Sequence, residues 1–185
     1  MEFLKPEILA NSMSALKNIP RTGWLQCGVP LCEAETVAEH TFEVASILAI
    51  FSFAIEKKID KEKMFVMGII HDIAESEIGD VPKSLTDRIG GEVKHKMEVE
   101  IMKSLANSSG LNRLNDVFEE YERRESKEAL LVKTADLLST IRQATVYSKR
   151  GIDVSVIIKS YKDELSRLLR KLDDKNIDAI VDALS

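Results

Sequence analysis

His71 and Asp72 stand next to each other at the end of an apolar run, MFVMGII, that begins at Met64. Because the run is apolar on nearly all sides, it predicts a buried helix. An imidazole and a carboxylate at the end of such a helix lose hydration, which is costly unless a partner satisfies both groups. A metal ion would satisfy both. Glu75 follows His71 by four residues, and on one continuous helix this spacing places the two side chains on the same face.

Two further polar residues interrupt apolar helical patterns. His40 lies in the first turns of a predicted helix, and Asp136 lies in the apolar stretch 130–138. Each residue taken singly is more typical of a satisfied core histidine or a solvent-facing carboxylate. Together with His71 and Asp72 they supply two imidazoles and two carboxylates, which suit a divalent ion such as Mn²⁺, Co²⁺, Fe²⁺ or Mg²⁺. Four protein ligands would leave two octahedral positions for water and a substrate oxygen.

The elements around these residues predict an all-α protein with a single domain over residues 1–185. The chain has only 8 Gly and 4 Pro, so long regular elements are expected, and no segment shows the strict alternation of a half-buried strand. Helical periodicity predicts a bundle of about seven to eight helices. These cover approximately residues 5–17, 36–58, 60–77, 92–106, 111–124, 126–149, 153–172 and 176–184.

Local capping signals mark where several helices begin. Thr36 and Glu39 have the spacing of a capping box, and Asp60 and Ser126 are suitable N-cap residues.

Residues 18–35 have no periodicity and contain two prolines and two glycines. They predict an ordered loop, and long loops inside a compact domain are often functional.

The net charge and the length of the apolar runs limit which partners and which cellular compartment we expect. The net charge is −5, so the chain lacks the excess of cations expected for binding a nucleic-acid polymer, whereas a small phosphorylated ligand needs only one or two cations. Residues 1–6 do not form a hydrophobic leader, and the apolar runs are shorter than the roughly 20 residues of a membrane span. We therefore expect a cytoplasmic protein without a membrane partner.

The two cysteines, Cys27 and Cys32, lie in the predicted loop. They are expected to be free thiols in a reducing compartment. A disulfide is the first alternative. The second is half of a zinc site, which no further cysteine or cysteine–histidine pair in the sequence completes.

The order of these motifs resembles that of the HD-domain metal-dependent phosphohydrolases. The chain is most similar to the YfbR-type 5′-deoxynucleotidases, the group that includes HD-domain-containing protein 2. The resemblance covers about residues 16–150 and implies an α-helical HD-domain fold that is often a homodimer. The matching segments are residues 20–24 (PRTGW), 35–40 (ETVAEH), 71–75 (HDIAE), 79–80 (GD), 119–122 (EEYE) and 132–136 (VKTAD).

The resemblance implies roles for six residues near the reacting phosphate. The matches to the family's metal ligands are His40, His71, Asp72 and Asp136, and the matches to its catalytic carboxylates are Glu75 and Asp80. One of these two carboxylates would accept a proton from the attacking water and the other would protonate the leaving 5′ oxygen, with the assignment open. The ion is expected to be Co²⁺ or Mn²⁺, with Mg²⁺, Fe²⁺, Ni²⁺ and Zn²⁺ as alternatives.

Two residues of the loop match positions that contact substrate in the family. Arg21 matches an arginine near the phosphate, which a guanidinium binds bidentately. Trp24 matches an aromatic residue near the sugar, where its bulk would exclude a 2′-hydroxyl. Without the resemblance, a surface arginine and a core tryptophan are the simpler interpretations. Lys83 and Lys94 are further candidate phosphate contacts, although solvated charges are more typical of such lysines.

The resulting prediction is a divalent-metal-dependent phosphomonoesterase. It would hydrolyse deoxyribonucleoside 5′-monophosphates to deoxynucleoside and phosphate. One alternative keeps the metal site but changes the substrate, giving a nucleotide phosphodiesterase, a triphosphohydrolase or a guanosine-tetraphosphate hydrolase. Another alternative is a module that binds metal or nucleotide without turnover.

Overall fold

A computed structural model describes residues 4–56 and 58–185, and helices make up most of it. The described part contains no β-strand, only an isolated bridge between Pro20 and Thr36. The all-α prediction is therefore confirmed. The helices are α1 (Pro6–Ala15), α2 (Thr22–Gln26), α3 (Val37–Ala54), α4 (Lys61–Ile70), α5 (Glu75–Ile78), α6 (Lys83–Ile89), α7 (Gly91–Ser109), α8 (Arg113–Arg123), α9 (Lys127–Lys149), α10 (Ser155–Leu172) and α11 (Lys175–Leu184), with a 3₁₀ turn at Leu16–Asn18.

The long helix α9 forms the centre of the bundle. It packs against α3, α4, α8 and α10, and most of its residues between Ala129 and Ile141 are buried. Burial of apolar side chains in such a cluster is the main force that holds the helices together. The largest core cluster includes Val44, Leu48, Phe51, Met64, Met67, Leu131, Leu137 and Ile141.

Helix α3 is unusually apolar. It is the one helix of the described residues whose length and hydropathy would suit a membrane span, and 39% of it is buried inside the protein. A helix that packs in the core of a bundle can have the same length and hydropathy. In this structure α3 packs against α4 and α9, and its first turns carry His40.

The prediction of one continuous helix over residues 60–77 is wrong after Ile70. Helix α4 ends at Ile70, residues 71–74 form a turn, and α5 begins at Glu75. In the turn, the N–H of Ile73 donates to the carbonyl of Ile70 and that of Glu75 to the carbonyl of Asp72. These bonds span three residues instead of four. As a result, His71 and Glu75 do not lie on one continuous helical face.

Short helices also occupy segments that the sequence left irregular. Helix α2 lies inside the predicted loop 18–35, and α6 lies between Pro82 and Gly90. The predicted end of α3 near residue 58 is also wrong, because the helix ends at Ala54; residue 57 itself is outside the described part of the chain. The cap predictions at Thr36, Asp60 and Ser126 are confirmed, and the Thr36 capping box is complete.

Helices α3 and α4 approach each other closely at Gly68. A methyl group added at Gly68 would overlap the end of the buried Leu48 side chain. Because Gly68 has no side chain, α4 can pack directly against Leu48 of α3, as small residues allow at tight helix crossings. This contact lies one turn before His71, so it helps to set the position of the histidine relative to α3.

Candidate active site

The four candidate metal ligands converge from three parts of the fold. His40 comes from α3, Asp136 from α9, and His71 and Asp72 from the turn after α4. Nε2 of His40 lies 3.1 Å from Oδ1 of Asp136 and 3.8 Å from Oδ2 of Asp72. Nε2 of His71 lies 3.1 Å from the same Oδ2. Ligand atoms from His40, His71 and Asp72 all lie within 4.8 Å of one another, and Asp136 joins these three through its contact with His40.

The ring of His71 is oriented by the backbone. Its Nδ1 lies 2.8 Å from the carbonyl oxygen of Gly68. A carbonyl only accepts, so Nδ1 carries a proton and Nε2 is the nitrogen that faces the cluster. That Nε2 is buried and has no hydrogen-bond partner among the described residues, although Oδ2 of Asp72 is close. A buried ring nitrogen that has no hydrogen-bond partner and lies beside a carboxylate oxygen fits a bound cation.

The charges of the cluster also favour a cation. Burial alone would raise the pKa of Asp72, but the neighbouring imidazoles, His71 first, lower it well below its ordinary value. Burial likewise opposes ionisation of Asp136, and the charge of Lys133 lowers its pKa well below its ordinary value. Both side chains are therefore carboxylates at neutral pH. The chemistry of this donor set, two imidazole nitrogens and two carboxylates, fits a divalent ion.

Arg21 brings a positive charge to the edge of the cluster. Its Nη1 lies 3.8 Å from Oδ2 of Asp72, and its Nη2 donates to the hydroxyl of Thr140 across 3.5 Å. Burial opposes the charge, but the nearby carboxylates, Asp80 first, raise the pKa of Arg21 above its ordinary value. The guanidinium is therefore charged and next to a candidate metal ligand, and its contact with a phosphate stays a prediction.

Glu75 lies in the same cavity but outside the ligand cluster. Its side chain is buried, and Oε1 lies 3.8 Å from Nζ of Lys94, while Oε2 has no hydrogen-bond partner in the described part of the chain. Burial, followed by the charges of Asp72 and Asp80, raises the pKa of Glu75 well above its ordinary value. An unpartnered carboxyl group with a raised pKa is suited to exchange a proton with a ligand.

Asp80 is held by the loop that carries Arg21. Its Oδ2 accepts the backbone N–H of Thr22 across 2.6 Å, and its carbonyl accepts the Thr22 hydroxyl across 2.9 Å. The other carboxylate oxygen has no such bond to Thr22. Asp80 thus lines the cavity and at the same time connects the segment after α5 to the start of α2.

Trp24 lies in the wall of the cavity and is almost fully buried, with 2% of its surface exposed. Its Nε1–H donates to Oε2 of Glu35 across 2.9 Å, and its ring packs edge-on against Tyr147 at 5.2 Å between centroids. This environment agrees with the core interpretation of the tryptophan and leaves only a small part of the ring to face the cavity. Contact with a sugar stays a prediction.

Sequence reasoning missed several residues that contact the cluster. Lys133 donates to Oδ2 of Asp136 across 2.8 Å, and the ring of Tyr121 packs edge-on against His71 at 5.9 Å. Tyr121 belongs to the EEYE motif at residues 119–122. The place of this motif in the order of motifs was the only signal in the sequence that Tyr121 lies near the cluster. Lys94 pairs with Glu98 at 3.2 Å as well as facing Glu75, so it is not a simple solvated charge.

Three other sequence interpretations concern residues away from the ligand cluster. Lys83 is exposed and lies 3.5 Å from Asp87. His95, the third histidine of the chain, is not among the ligands; it pairs with Glu122 at 2.8 Å. Cys27 and Cys32 are both free thiols, as expected.

One cavity of about 590 Å³ is lined by most of the candidate site residues, among them Arg21, Asp72, Glu75, Asp80 and Asp136. The lining also includes Lys94 of α7 and Val156, Ser160 and Tyr161 of α10. A volume of this size is in the range of small-molecule sites. The cavity can therefore hold a mononucleotide-sized ligand with its anionic end near Arg21.

The chain is similar to known proteins both in sequence and in fold. The family model of the HD domain matches residues 13–172. The chain is 34% identical over 148 residues to 5′-deoxynucleotidase HDDC2 of Dictyostelium discoideum, which covers 73% of both chains. It is 30% identical over 145 residues to 5′-deoxynucleotidase hdd1 of Schizosaccharomyces pombe, covering 75% of this chain and 70% of the relative. A conserved hypothetical protein from Pyrococcus furiosus has the same fold, with a TM-score of 0.81, 31% identity and coverage of 95% and 96%.

Proposed function

Because the chain belongs to the HD domain family and its relatives are 5′-deoxynucleotidases, we infer that it is a metal-dependent hydrolase of deoxynucleoside 5′-monophosphates. The observation that carries this inference is the buried cluster in which Nε2 atoms of His40 and His71 face the carboxylates of Asp72 and Asp136. A cluster with this much negative charge would repel a phosphate monoester unless a cation were bound. Metal dependence follows from that charge as well as from the family.

The proposed roles follow from where each group lies. A divalent ion held by His40, His71, Asp72 and Asp136 would polarise the phosphoryl group and lower the pKa of a water molecule. Arg21 would bind the phosphate oxygens and offset the charge that develops on them. These contacts would fix the phosphorus atom at the cluster end of the cavity.

Hydrolysis breaks the bond between phosphorus and the 5′ oxygen and needs two proton transfers. The attacking water must lose a proton, and the leaving 5′ oxygen must gain one. Glu75 and Asp80 are the proposed partners for these two transfers. The raised pKa of Glu75 favours it as the group that holds a proton before the reaction, which would make it the acid and Asp80 the base.

Finer features of the function are also proposals. We expect Co²⁺ or Mn²⁺ to support the highest activity, and Trp24 to favour deoxyribose over ribose. We also expect a homodimer in the cytoplasm. The exposed apolar side chains of Phe42, Ile50 and Phe53 along one side of α3 support the dimer, and light scattering on the purified protein would test it.

Phosphate release from dAMP tests the function directly. With Mn²⁺ or Co²⁺ present, the protein should release inorganic phosphate from dAMP faster than from AMP, and the Asp72→Ala variant should release none. Pyrophosphate or tripolyphosphate release from dATP, or cleavage of a cyclic nucleotide, would favour a different nucleotide phosphohydrolase. Binding of Mn²⁺ and dAMP without turnover of any of these compounds would favour a non-catalytic module.

A further inference from the structure

The two ring nitrogens of His40 have different partners. Nε2 faces the ligand cluster, 3.1 Å from Oδ1 of Asp136, and Nδ1 faces the opposite way, 3.2 Å from the hydroxyl of Ser139. His40 and Ser139 are both fully buried. Their protein neighbours, and not solvent, therefore decide which nitrogen carries the proton.

Ser139 can accept from His40 but cannot donate to it. A serine hydroxyl has one hydrogen, and Oγ of Ser139 donates that hydrogen to Oε2 of Glu43 across 2.9 Å. The carboxylate of Glu43 only accepts. The hydroxyl must therefore accept from Nδ1 of His40, which places the ring proton on Nδ1 and leaves the lone pair of Nε2 free to face the cluster.

Glu43 is itself fixed on its other side. Its Oε1 accepts from Nε of Arg142 across 2.9 Å, and Nη1 of Arg142 donates to the carbonyl of Leu184 in α11 across 3.0 Å. The side chain of Glu43 is therefore held between Ser139 and a charged donor. A directed series of hydrogen bonds runs from Nδ1 of His40 through Ser139 to Glu43.

We propose that Ser139 and Glu43 are positioning residues that fix the tautomer of His40 in which Nε2 can bind the metal ion. This proposal rests on His40 being a metal ligand, as argued above. In the other tautomer, Nε2 would carry the proton and could donate it to Oδ1 of Asp136, which is already within hydrogen-bond distance. The two ligands would then satisfy each other and close the site to the ion.

The proposal predicts a specific effect of Ser139→Ala. Without the hydroxyl, a buried Nδ1–H would have no acceptor, so the ring should shift to the tautomer that bonds Asp136. Loss of such a supporting contact to a metal-binding histidine typically weakens metal affinity by about 10- to 100-fold. Ser109→Ala is a matched control, because Ser109 is a fully buried helical serine that bonds the carbonyl of Ala106 and lies outside the cavity.

Two measurements test the proposal on the full chain. Isothermal titration with Mn²⁺ gives the metal affinity, and long-range ¹H–¹⁵N correlation spectra of the metal-free protein give the tautomer of each of the three histidines. We expect His40 to be protonated at Nδ1 in the unaltered protein and in Ser109→Ala, and at Nε2 in Ser139→Ala. If Ser139 only supported packing, Ser139→Ala would lower the stability of the fold and leave the tautomer of His40 unchanged.

Glu43→Ala is the second variant and keeps the test decisive if Ser139→Ala fails to fold. Glu43 is partly exposed, so its truncation should be tolerated, and it frees the Ser139 hydroxyl to donate to Nδ1. We expect Mn²⁺ affinity to fall by about tenfold with the same change of tautomer. An unchanged tautomer and Mn²⁺ affinity within about threefold of Ser109→Ala would overturn the proposal. Failure of the unaltered protein to bind Mn²⁺ would instead contradict the proposed metal site, and the spectra would still decide the tautomer.

Discussion

The backbone N–H of Thr22 donates to Oδ2 of Asp80 across 2.6 Å, and the Thr22 hydroxyl donates to the carbonyl of Asp80. The segment after α5 and the start of α2 are therefore one unit, although 58 residues separate the two partners. Arg21 precedes Thr22. The position of the guanidinium beside Asp72 thus depends on Asp80, a residue that we also propose to take part in proton transfer.

This double role predicts different effects for two substitutions of Asp80. Asp80→Asn keeps an oxygen that can accept from Thr22, so the loop should stay in place, KM for dAMP should change little, and kcat should fall by about 100-fold or more. Asp80→Ala should also release the loop and raise KM. Steady-state kinetics with dAMP measures both constants. Identical values for the two variants would show that the bond to Thr22 does not position Arg21.

Glu75→Ala should keep the metal and lose turnover. Glu75 lies outside the ligand cluster, so Mn²⁺ affinity should stay close to that of the unaltered protein, whereas kcat should fall by about 10²- to 10⁴-fold because one proton transfer loses its partner. Glu77→Ala is a matched control on the exposed side of α5. Full activity in Glu75→Ala would remove this residue from the mechanism.

Metal removal should affect activity and stability together. An ion that binds only the folded state stabilises it by about 2.7 kcal/mol at 100 times its Kd, so a chelator should lower Tm as well as abolish phosphate release. Added Mn²⁺ should restore both. In His71→Ala and Asp72→Ala, differential scanning fluorimetry should show no rise of Tm with Mn²⁺. A rise equal to that of the unaltered protein would exclude these residues as ligands.

Gly68→Ala should destabilise the protein although alanine is the better helix former. The added methyl group meets the buried side chain of Leu48, and overpacking of this kind costs about 1–3 kcal/mol, more than the roughly 1 kcal/mol gained from helix propensity. Urea denaturation measures the free energy of unfolding. In a Leu48→Ala background the methyl group has room, so the cost should disappear there; an equal cost in both backgrounds would contradict the proposed overlap.

Asp174 gives a pH-dependent prediction away from the cavity. Its carboxylate caps α11 by accepting the N–H of Asn176 and pairs with Lys127 at 3.0 Å. Burial by itself raises its pKa, but the bond from Lys127 and the charge of that lysine lower it below 3.8. Because the folded-state pKa is depressed, the stabilisation is fully present above the ordinary pKa of 3.8 and is lost as pH falls through the folded-state value.

Asp174→Ala should therefore lower the free energy of unfolding by about 1 kcal/mol at pH 7, and by less as pH falls below the ordinary carboxyl pKa. Denaturant unfolding at several pH values measures the difference from the unaltered protein. Asp182→Ala, an exposed change on the same helix, is the control and should have little effect at any pH. A difference that did not shrink in acid would point to a role for Asp174 other than its charge.

The sequence predicted the helices that bury apolar faces because periodicity reports burial directly. It also selected His40 and Asp136 as ligands, since each is a polar residue inside an apolar pattern, and the structure brings both to His71 and Asp72. The break after Ile70 was missed because residues 71–75 (HDIAE) contain no glycine or proline, and Ile73 and Ala74 continue the apolar helical pattern. The turn is set by three-residue hydrogen bonds and by the packing of α5, which leave no local signal.

The partners of the ligands were also beyond sequence reasoning. Ser139 and Glu43 are an ordinary serine and glutamate in helical patterns, and 96 residues separate them. Only the packing of α3 against α9 brings them together beside His40. Lys94 was a candidate phosphate contact from the sequence, but its position beside Glu75 had no sequence signal.

The ligand cluster joins His40 to Asp136, which are 96 residues apart in the chain. An ion bound there would act as a reversible cross-link that closes more than half of the sequence into a loop, and the chain could not unfold globally without releasing it. Proteolysis anywhere between α3 and α9 should then be slowed by the ion, including in helices that do not contact it. The unfolding of α7 and α8 would in this way report on the occupancy of a site to which they contribute no ligand.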